Sequence, residues 1–93
     1  MRFVFDERAA DDLVRIFTWI AQGSPQAAGA VIRKLLQRIG QLEVPELPRL
    51  GRPGRVPGTR ELVERVYIIV YEVHEERGEV IVTAVLHEAQ DRH

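Results

Sequence analysis

Two side chains in the second half of the chain are suited to phosphate chemistry, Arg60 and His87. A guanidinium binds phosphate through paired hydrogen bonds and stabilises the charge of a phosphoryl transition state. A histidine titrates near neutral pH, so it can accept or donate a proton during a reaction. Each residue also has a structural interpretation, a salt bridge for Arg60 and a hydrogen-bonded strand end for His87. The residue types leave both interpretations open.

A stretch rich in arginine, proline and glycine precedes Arg60. Residues 45–58 contain four of the five prolines and three glycines, together with Arg52 and Arg55. This composition interrupts helices and strands, and we predict a stiff, ordered loop without a regular element. A basic loop of this kind suits either a nucleic acid or an acidic protein surface.

The sequence lacks the residues that several other kinds of site require. It contains no cysteine, which excludes thiolate metal sites and cysteine nucleophiles. Its three histidines, at positions 74, 87 and 93, do not have the spacing of metal ligands. Ser24 is the only serine, and it is better explained as a helix cap than as a nucleophile. We therefore expect no metal and no cofactor.

Length and charge indicate one small globular domain spanning residues 1–93. A chain of this size buries about two-thirds of its surface, which is enough for a single core. The formal net charge is −1, so no overall field attracts nucleic acid or a membrane surface. The opening residues are charged too early for a secretion signal, and no apolar run has the length of a membrane span. We expect a cytoplasmic protein with no membrane partner.

Hydrophobic spacing predicts a strand followed by two helices. Residues 2–5 are apolar and favour a strand. Apolar side chains then recur every three or four positions over residues 9–20, which predicts an amphipathic helix capped by Asp6. Ser24-Pro25 is a typical helix start and opens a second helix. The connection between the helices is short, so they should form an antiparallel hairpin.

The chain after the loop has the shorter period of β-structure. The middle of three predicted strands is apolar on both faces, as a central strand should be. Tyr67 and Tyr71 share one face of that strand, where they either stack on a base or pack in the core. Gly78 can supply the positive φ of the turn that follows it. The three strands are predicted at residues 61–64, 67–73 and 79–86.

The resulting order, β-α-α-β-β-β, predicts an α+β fold. The helical hairpin should pack on one face of a small, mainly antiparallel sheet. Trp19 lies at the edge of the apolar stripe of the first helix. In that position it either closes the rim of the core or contacts a partner protein.

Five segments spread along the chain carry a family resemblance. They comprise the opening strand with AADDL at residues 9–13, the helix start at residues 24–28, GRPGRVPGTREL at residues 51–62, YIIVYEV at residues 67–73 and VLHEAQ at residues 85–90. Each segment alone is weak, but the set covers nearly the whole chain. Together they resemble the RelE/ParE toxin superfamily of bacterial type II toxin–antitoxin systems.

The resemblance implies a fold and a partner. The superfamily fold is a helical hairpin on a small antiparallel sheet, which agrees with the order derived above. The partner is a co-encoded antitoxin whose C-terminal segment wraps the toxin and silences it. Operator DNA is reached only indirectly, through the antitoxin. Since obligate partners bury apolar anchors, we expect Trp19 and the exposed flanks of the helices to contact the antitoxin.

The resemblance also implies one of two molecular targets. ParE-like members inhibit DNA gyrase by binding it, whereas RelE-like members cleave mRNA on the ribosome. RelE-like nucleases carry a catalytic arginine in a YRLVY motif, and the corresponding YIIVY motif here places Ile68 at that position. Because isoleucine cannot stabilise a phosphorane, the resemblance favours a gyrase inhibitor that is not an enzyme. The expected target-binding residues are Arg52, Arg55, Arg60, His87, Gln90 and Arg92.

Two alternatives stay open. A RelE-like nuclease would act on mRNA in the ribosome, with the 2′-hydroxyl as nucleophile, His87 moving a proton and Arg60 holding the phosphate. A toxin that has lost its activity would bind the antitoxin and do nothing more. Ile68 is compatible with that third possibility.

Overall fold

The computed structural model describes residues 1–44 and 51–89, which form two helices and a five-stranded sheet. Short 3₁₀ turns at Gln41–Glu43 and Glu75–Arg77 follow the second helix and the fourth strand. In chain order the elements are β1 (Arg2–Phe5), α1 (Glu7–Ala21), α2 (Pro25–Gly40), β2 (Arg52–Pro53), β3 (Arg60–Glu64), β4 (Tyr67–His74) and β5 (Glu79–His87).

Both helices begin at the predicted residues. The Asp6 carboxylate accepts a hydrogen bond from the Ala9 N–H at 3.1 Å and caps α1. The Ser24 hydroxyl accepts one from the Ala27 N–H at 3.1 Å and caps α2, whose first residue is Pro25. These local hydrogen bonds satisfy backbone donors that have no partner inside the helix, which is why such residue types mark helix starts.

The sheet has the strand order β1-β5-β4-β3-β2, so β4 lies at its centre as predicted. The β1–β5 pair is parallel and the other three pairs are antiparallel. Between β4 and β5 the chain turns at Gly78, whose φ of 63° lies in the left-handed region. The mainly antiparallel character of the sheet is confirmed.

The hydrophobic core lies between the helices and one face of the sheet. On that face Leu62, Ile69 and Val85 sit side by side on three neighbouring strands. The fully enclosed members of the core come from both layers, so burial ties the helical hairpin to the sheet. They are Ala9, Leu35, Ile39 and Leu42 from the helical layer, and Ile69, Tyr71, Val80 and Val82 from the strands.

The opposite face of the sheet is also apolar at its centre. Ile68 is only 2% exposed, although it points away from the helices. Its neighbours across the strands are Val63 on β3 and Leu86 on β5. The prediction that β4 is apolar on both faces is therefore confirmed.

The prediction of a loop without regular structure was wrong at one point. Arg52 and Pro53 pair with Glu61 and Arg60 to form β2, a two-residue edge strand. Proline is tolerated there because an edge strand does not need every N–H for pairing. Residues 51–60 thus form a short hairpin, which we call the arginine hairpin. The first part of the predicted loop, residues 45–50, lies outside the described residues.

A buried carboxylate joins α1 to β5. The β1 strand pairs with β5 only as far as Val82. Three residues further on, the Val85 N–H donates to Asp12 Oδ2 at 3.0 Å. Asp12 is 6% exposed, and its second oxygen accepts from Arg15 at 3.2 Å. The helix therefore supplies an acceptor where β1 has ended, and both carboxylate oxygens are hydrogen-bonded as burial requires.

We expect Asp12→Ala to lower the free energy of unfolding by about 1–3 kcal/mol, because the buried Val85 N–H loses its acceptor. Asp11→Ala, at the exposed neighbouring position, is the matched control and should change it by less than about 0.5 kcal/mol. Urea denaturation followed by circular dichroism measures both. Equal unfolding free energies for the two variants would show that the carboxylate does not stabilise the fold.

Candidate functional site

His87 is the last residue of β5, and its ring lies against that of Tyr67. The two ring centroids are 5.6 Å apart with an interplanar angle of 86°, an edge-to-face contact. Nδ1 of His87 accepts a hydrogen bond from the Ala89 N–H at 3.1 Å. Because Nδ1 is the acceptor, the neutral ring carries its proton on Nε2. The predicted hydrogen-bonded strand end is therefore what the structure shows, and the exposed ring also borders a cleft.

This cleft lies between α1 and the end of β5, and its volume is about 710 Å³. The helix contributes side chains spaced by three or four residues, which places them on one face. The sheet contributes the end of β5 and the Tyr67 ring. The lining residues are Arg8, Asp12, Arg15, Ile16, Trp19, Tyr67, Val85, Leu86 and His87.

Cationic and aromatic groups stand together at this cleft. The Arg15 side chain is 75% exposed while it donates to the buried Asp12 carboxylate. Trp19 is also 75% exposed, which is unusual for so large an apolar side chain. Arg8 is exposed one helical turn before Asp12. A cleft with this lining can hold an apolar side chain of a partner and an acidic group beside it.

Arg60 lies at a different end of the strands from His87. It pairs with Tyr71 across β3 and β4, whereas His87 pairs with Tyr67. The four-residue offset along β4 corresponds to about 13 Å. The Arg60 guanidinium is directed to the carbonyl oxygen of Gly51. The structure thus does not bring Arg60 beside His87, the pair that the nuclease alternative requires.

The cations that line the same cleft as His87 are Arg8 and Arg15, which were not among the predicted site residues. A signal for them existed in the sequence. Positions 8, 12, 15 and 19 recur at helical spacing, as a second stripe beside the apolar one. What the sequence could not show was that this stripe faces the end of β5, because that depends on how α1 crosses the sheet.

The arginine hairpin is organised around Glu61, which is 6% exposed. Arg52 donates to Glu61 Oε1 from Nε at 3.1 Å and forms an ion pair through Nη2 at 3.0 Å. The Arg55 N–H donates to Glu61 Oε2 at 3.4 Å. A buried carboxylate is stable in a fold when charged and backbone donors surround it, so Glu61 fixes the shape of this loop.

The two tyrosines of β4 have different surroundings. Tyr71 is fully buried, and its hydroxyl accepts a hydrogen bond from the Gly51 N–H at 3.2 Å. It is a core residue that ties the hairpin to the sheet. Tyr67 is half-buried and lines the cleft. Only Tyr67 is placed to contact a ligand.

Several expectations concern absences or undescribed residues. Gln90 and Arg92, expected at the target surface, lie outside the described residues. Within residues 1–44 and 51–89, no group of three or more His, Cys, Asp or Glu side chains is placed to hold a metal ion. In the same part of the chain, no helix has the length and apolar character needed to cross a membrane.

Solved structures share this architecture over nearly the whole chain. A chain of the chromosomal ParDE system from P. aeruginosa superimposes with a TM-score of 0.79 at 23% identity, covering 94% of this chain and 95% of that one. A chain of the intact E. coli RelBE toxin–antitoxin complex gives 0.67 at 22% identity, with 92% and 94% covered. These likenesses confirm the predicted α+β fold.

Sequence comparison establishes the family. A protein of Sinorhizobium fredii named as a candidate toxin, Y4kP, is 35% identical over 85 residues, which cover 89% of this chain and 83% of that protein. The profile described as ParE toxin of type II toxin-antitoxin system, parDE, matches residues 3–92. The chain belongs to the ParE toxin family of type II toxin–antitoxin systems.

Proposed function

We propose that this toxin inhibits DNA gyrase by binding it, without catalysing a reaction, and that a co-encoded antitoxin silences it. Membership of the ParE family supports the toxin role. The choice of target depends mainly on one observation, the apolar surroundings of Ile68.

Ile68 occupies the position that holds a catalytic arginine in the RelE-like nucleases, which this chain resembles. It is 2% exposed and lies between Val63 and Leu86 in the register of the sheet. Stabilising a phosphorane requires positive charge or hydrogen-bond donors at the reacting phosphate. These side chains offer neither, so this face of the sheet is unsuited to RNA cleavage and the binding mode of action is favoured.

The surface that meets the target is, in this proposal, the arginine hairpin together with the C-terminal end of the chain. The hairpin carries a local concentration of cations in a chain whose net charge is −1. Such a patch favours an acidic protein surface and speeds encounter with it. The residues assigned to this surface are Arg52, Arg55, Arg60, His87, Gln90 and Arg92.

The antitoxin is proposed to cover the α1–β5 cleft, with Trp19 as its main anchor. Relatives of the same fold were solved as toxin–antitoxin complexes, including those of P. aeruginosa ParDE and E. coli RelBE. Trp19 presents a large apolar surface to solvent, and Arg15 and Arg8 lie about one and three turns before it on the same helix face. An antitoxin segment with an apolar side chain next to an acidic one would match this lining.

We expect the purified chain to inhibit gyrase-catalysed supercoiling, and its induction in cells to lower thymidine incorporation before methionine incorporation. The physical reason is that the arginine hairpin offers a basic surface for binding a protein, whereas position 68 carries an isoleucine in place of a catalytic charge. If the chain cleaves RNA, His87→Ala should abolish the cleavage. This variant is therefore the control for the nuclease alternative.

Early loss of methionine incorporation, with cut mRNA ends that disappear in His87→Ala, would refute the gyrase assignment and establish the nuclease. In that case Arg8 and Arg15, rather than Arg60, are the cations in the cleft that His87 lines. A wild-type chain that affects neither incorporation would be a toxin without activity.

We expect Trp19→Ala to weaken antitoxin binding by about 30-fold, since truncating a buried aromatic anchor costs about 2 kcal/mol. Thr18→Ala is the matched control, because the adjacent residue is exposed and points away from the cleft. Isothermal titration of the antitoxin measures both. Trp19 is the only tryptophan, so its fluorescence should also shift to the blue on binding. Equal affinities for the two variants, with no spectral shift, would place the antitoxin elsewhere.

A further inference from the structure

We propose that the tip of the arginine hairpin, Arg55-Val56-Pro57, is the contact through which the toxin engages its target. The partner is a protein surface with a shallow apolar pocket edged by carboxylates. This inference rests on the proposed function in one respect, that toxicity arises from binding a protein. It goes further by separating residues that make the contact from residues that hold it in place.

The tip is a tight turn with a fixed shape. The Thr59 N–H donates to the Val56 carbonyl oxygen at 3.1 Å, and the Gly54 N–H donates to the Thr59 carbonyl oxygen at 2.8 Å. Pro57 and Gly58 occupy the two central positions, and Gly58 has a φ of 88°. Proline followed by a residue with positive φ is the signature of a type II turn. The Thr59 hydroxyl adds a bond of 2.6 Å to the Val56 carbonyl oxygen.

The base of the hairpin is also held in place, by contacts with the sheet. Gly51 lies so close to β3 that a Cβ there would be 2.6 Å from the Glu61 carbonyl oxygen. Its N–H is bonded to the buried Tyr71 hydroxyl, and Arg60 is bonded to its carbonyl oxygen. Arg52 and the Arg55 N–H converge on the buried Glu61 carboxylate. Arg52, Arg60 and Glu61 are therefore positioning residues of the tip.

The hydrogen bonds that hold the hairpin do not bring any of its side chains into the hydrophobic core. No residue between 51 and 60 belongs to the core cluster of the described chain. Instead the hairpin presents Val56, which is 64% exposed, between the exposed residues Arg55 and Pro57. A contact held in one shape before binding loses little conformational entropy when the partner arrives. Rigid presentation of an apolar side chain is what a binding surface requires.

The chemistry of the tip specifies the partner. Residues 51–60 carry three arginines and no acidic residue, so an acidic surface is the electrostatic complement. An uncharged valine at the first position of the turn adds no affinity for phosphate groups, whereas it can fill an apolar pocket. A protein surface is therefore favoured over a nucleic acid, and the two can be separated by removing the valine and the charge independently.

The test uses Val56→Ser and Arg55→Ala, with Val44→Ser as the matched control, since Val44 is 51% exposed outside the hairpin. Each variant is expressed with its antitoxin and purified free of it. Growth inhibition, half-maximal inhibition of gyrase supercoiling, antitoxin affinity and thermal unfolding are measured. We expect Val56→Ser and Arg55→Ala each to weaken inhibition about tenfold, the value of one buried valine or one charged contact. Antitoxin affinity and unfolding should stay at wild-type values, and Val44→Ser should match the wild type throughout.

The outcomes separate this proposal from the proposed function. If growth inhibition depends on Val56 but gyrase is unaffected, gyrase is refuted as the target. The same result would support the tip of the hairpin as the contact with another target protein. Inhibition that depends on Arg55 but not on Val56 would overturn the tip as an apolar contact and indicate binding to phosphates. Loss of antitoxin affinity in parallel with toxicity would overturn it as well. A wild-type chain without toxicity would overturn both proposals.

A second measurement tests the positioning residues. Glu61→Gln removes the charge that holds Arg52 and the Arg55 N–H. We expect weaker inhibition together with faster hydrogen exchange at the Gly54 N–H, whereas Val56→Ser should weaken inhibition with exchange unchanged. Weaker inhibition by Glu61→Gln with wild-type exchange would show that Glu61 does not act through the shape of the hairpin.

Discussion

The hydrogen bond from the Val85 N–H to the Asp12 carboxylate joins the two layers of the molecule at the point where β1 has ended. Without an acceptor there, a buried strand donor would lose its partner at a cost of about 1–3 kcal/mol. The same carboxylate holds Arg15 at the mouth of the cleft. One buried group thus fixes α1 against β5 and holds one of the cations that line the cleft. The stripe of residues 8, 12, 15 and 19 faces the end of β5 on the same side of the helix as this contact.

A second buried carboxylate, Glu61, also holds neighbouring groups in place, at the other end of the central strands. It gathers Arg52 and the Arg55 N–H, while the Tyr71 hydroxyl and Arg60 hold Gly51. The arginine hairpin is therefore an extension of the core by polar contacts. The cleft and the hairpin lie about four strand residues apart along β4. The proposed antitoxin anchor Trp19 and the proposed target contact in the hairpin are therefore separate, whereas His87 lines the cleft and belongs to both proposed surfaces.

The ParDE and RelBE structures share the fold of this chain, and the fold alone does not decide its activity. Both superimpose on this chain over more than nine-tenths of its length, yet the chemistry depends on side chains placed on the shared scaffold. In this chain the centre of the outer sheet face is Val63, Ile68 and Leu86. The scaffold can hold an arginine at such a position only if the charge can reach solvent or an anion. An apolar centre instead stabilises the sheet, and the proposed target contact lies in a hairpin at its edge.

Most of the fold followed from local patterns in the sequence. The caps at Asp6 and Ser24, the turn at Gly78 and the central position of β4 were all predicted, because hydrogen bonds and periodicities within a few residues determine them. The family resemblance was likewise visible in the sequence. The short strand β2 was missed, since prolines and glycines argue against a strand and only pairing with β3 creates it.

Which side chains meet was decided by the tertiary structure. The residue types suggested that His87 and Arg60 could act together, but the strand register separates them, and α1 places Arg8 and Arg15 in the cleft that His87 lines. Asp12, Glu61 and Tyr71 became buried polar anchors through contacts with residues 9 to 73 positions away in sequence. The sequence alone determined the elements and the family, because these depend on local spacing and residue type. Only tertiary packing determined the cleft and the shape of the hairpin, because both depend on register and on the angle at which a helix crosses a sheet.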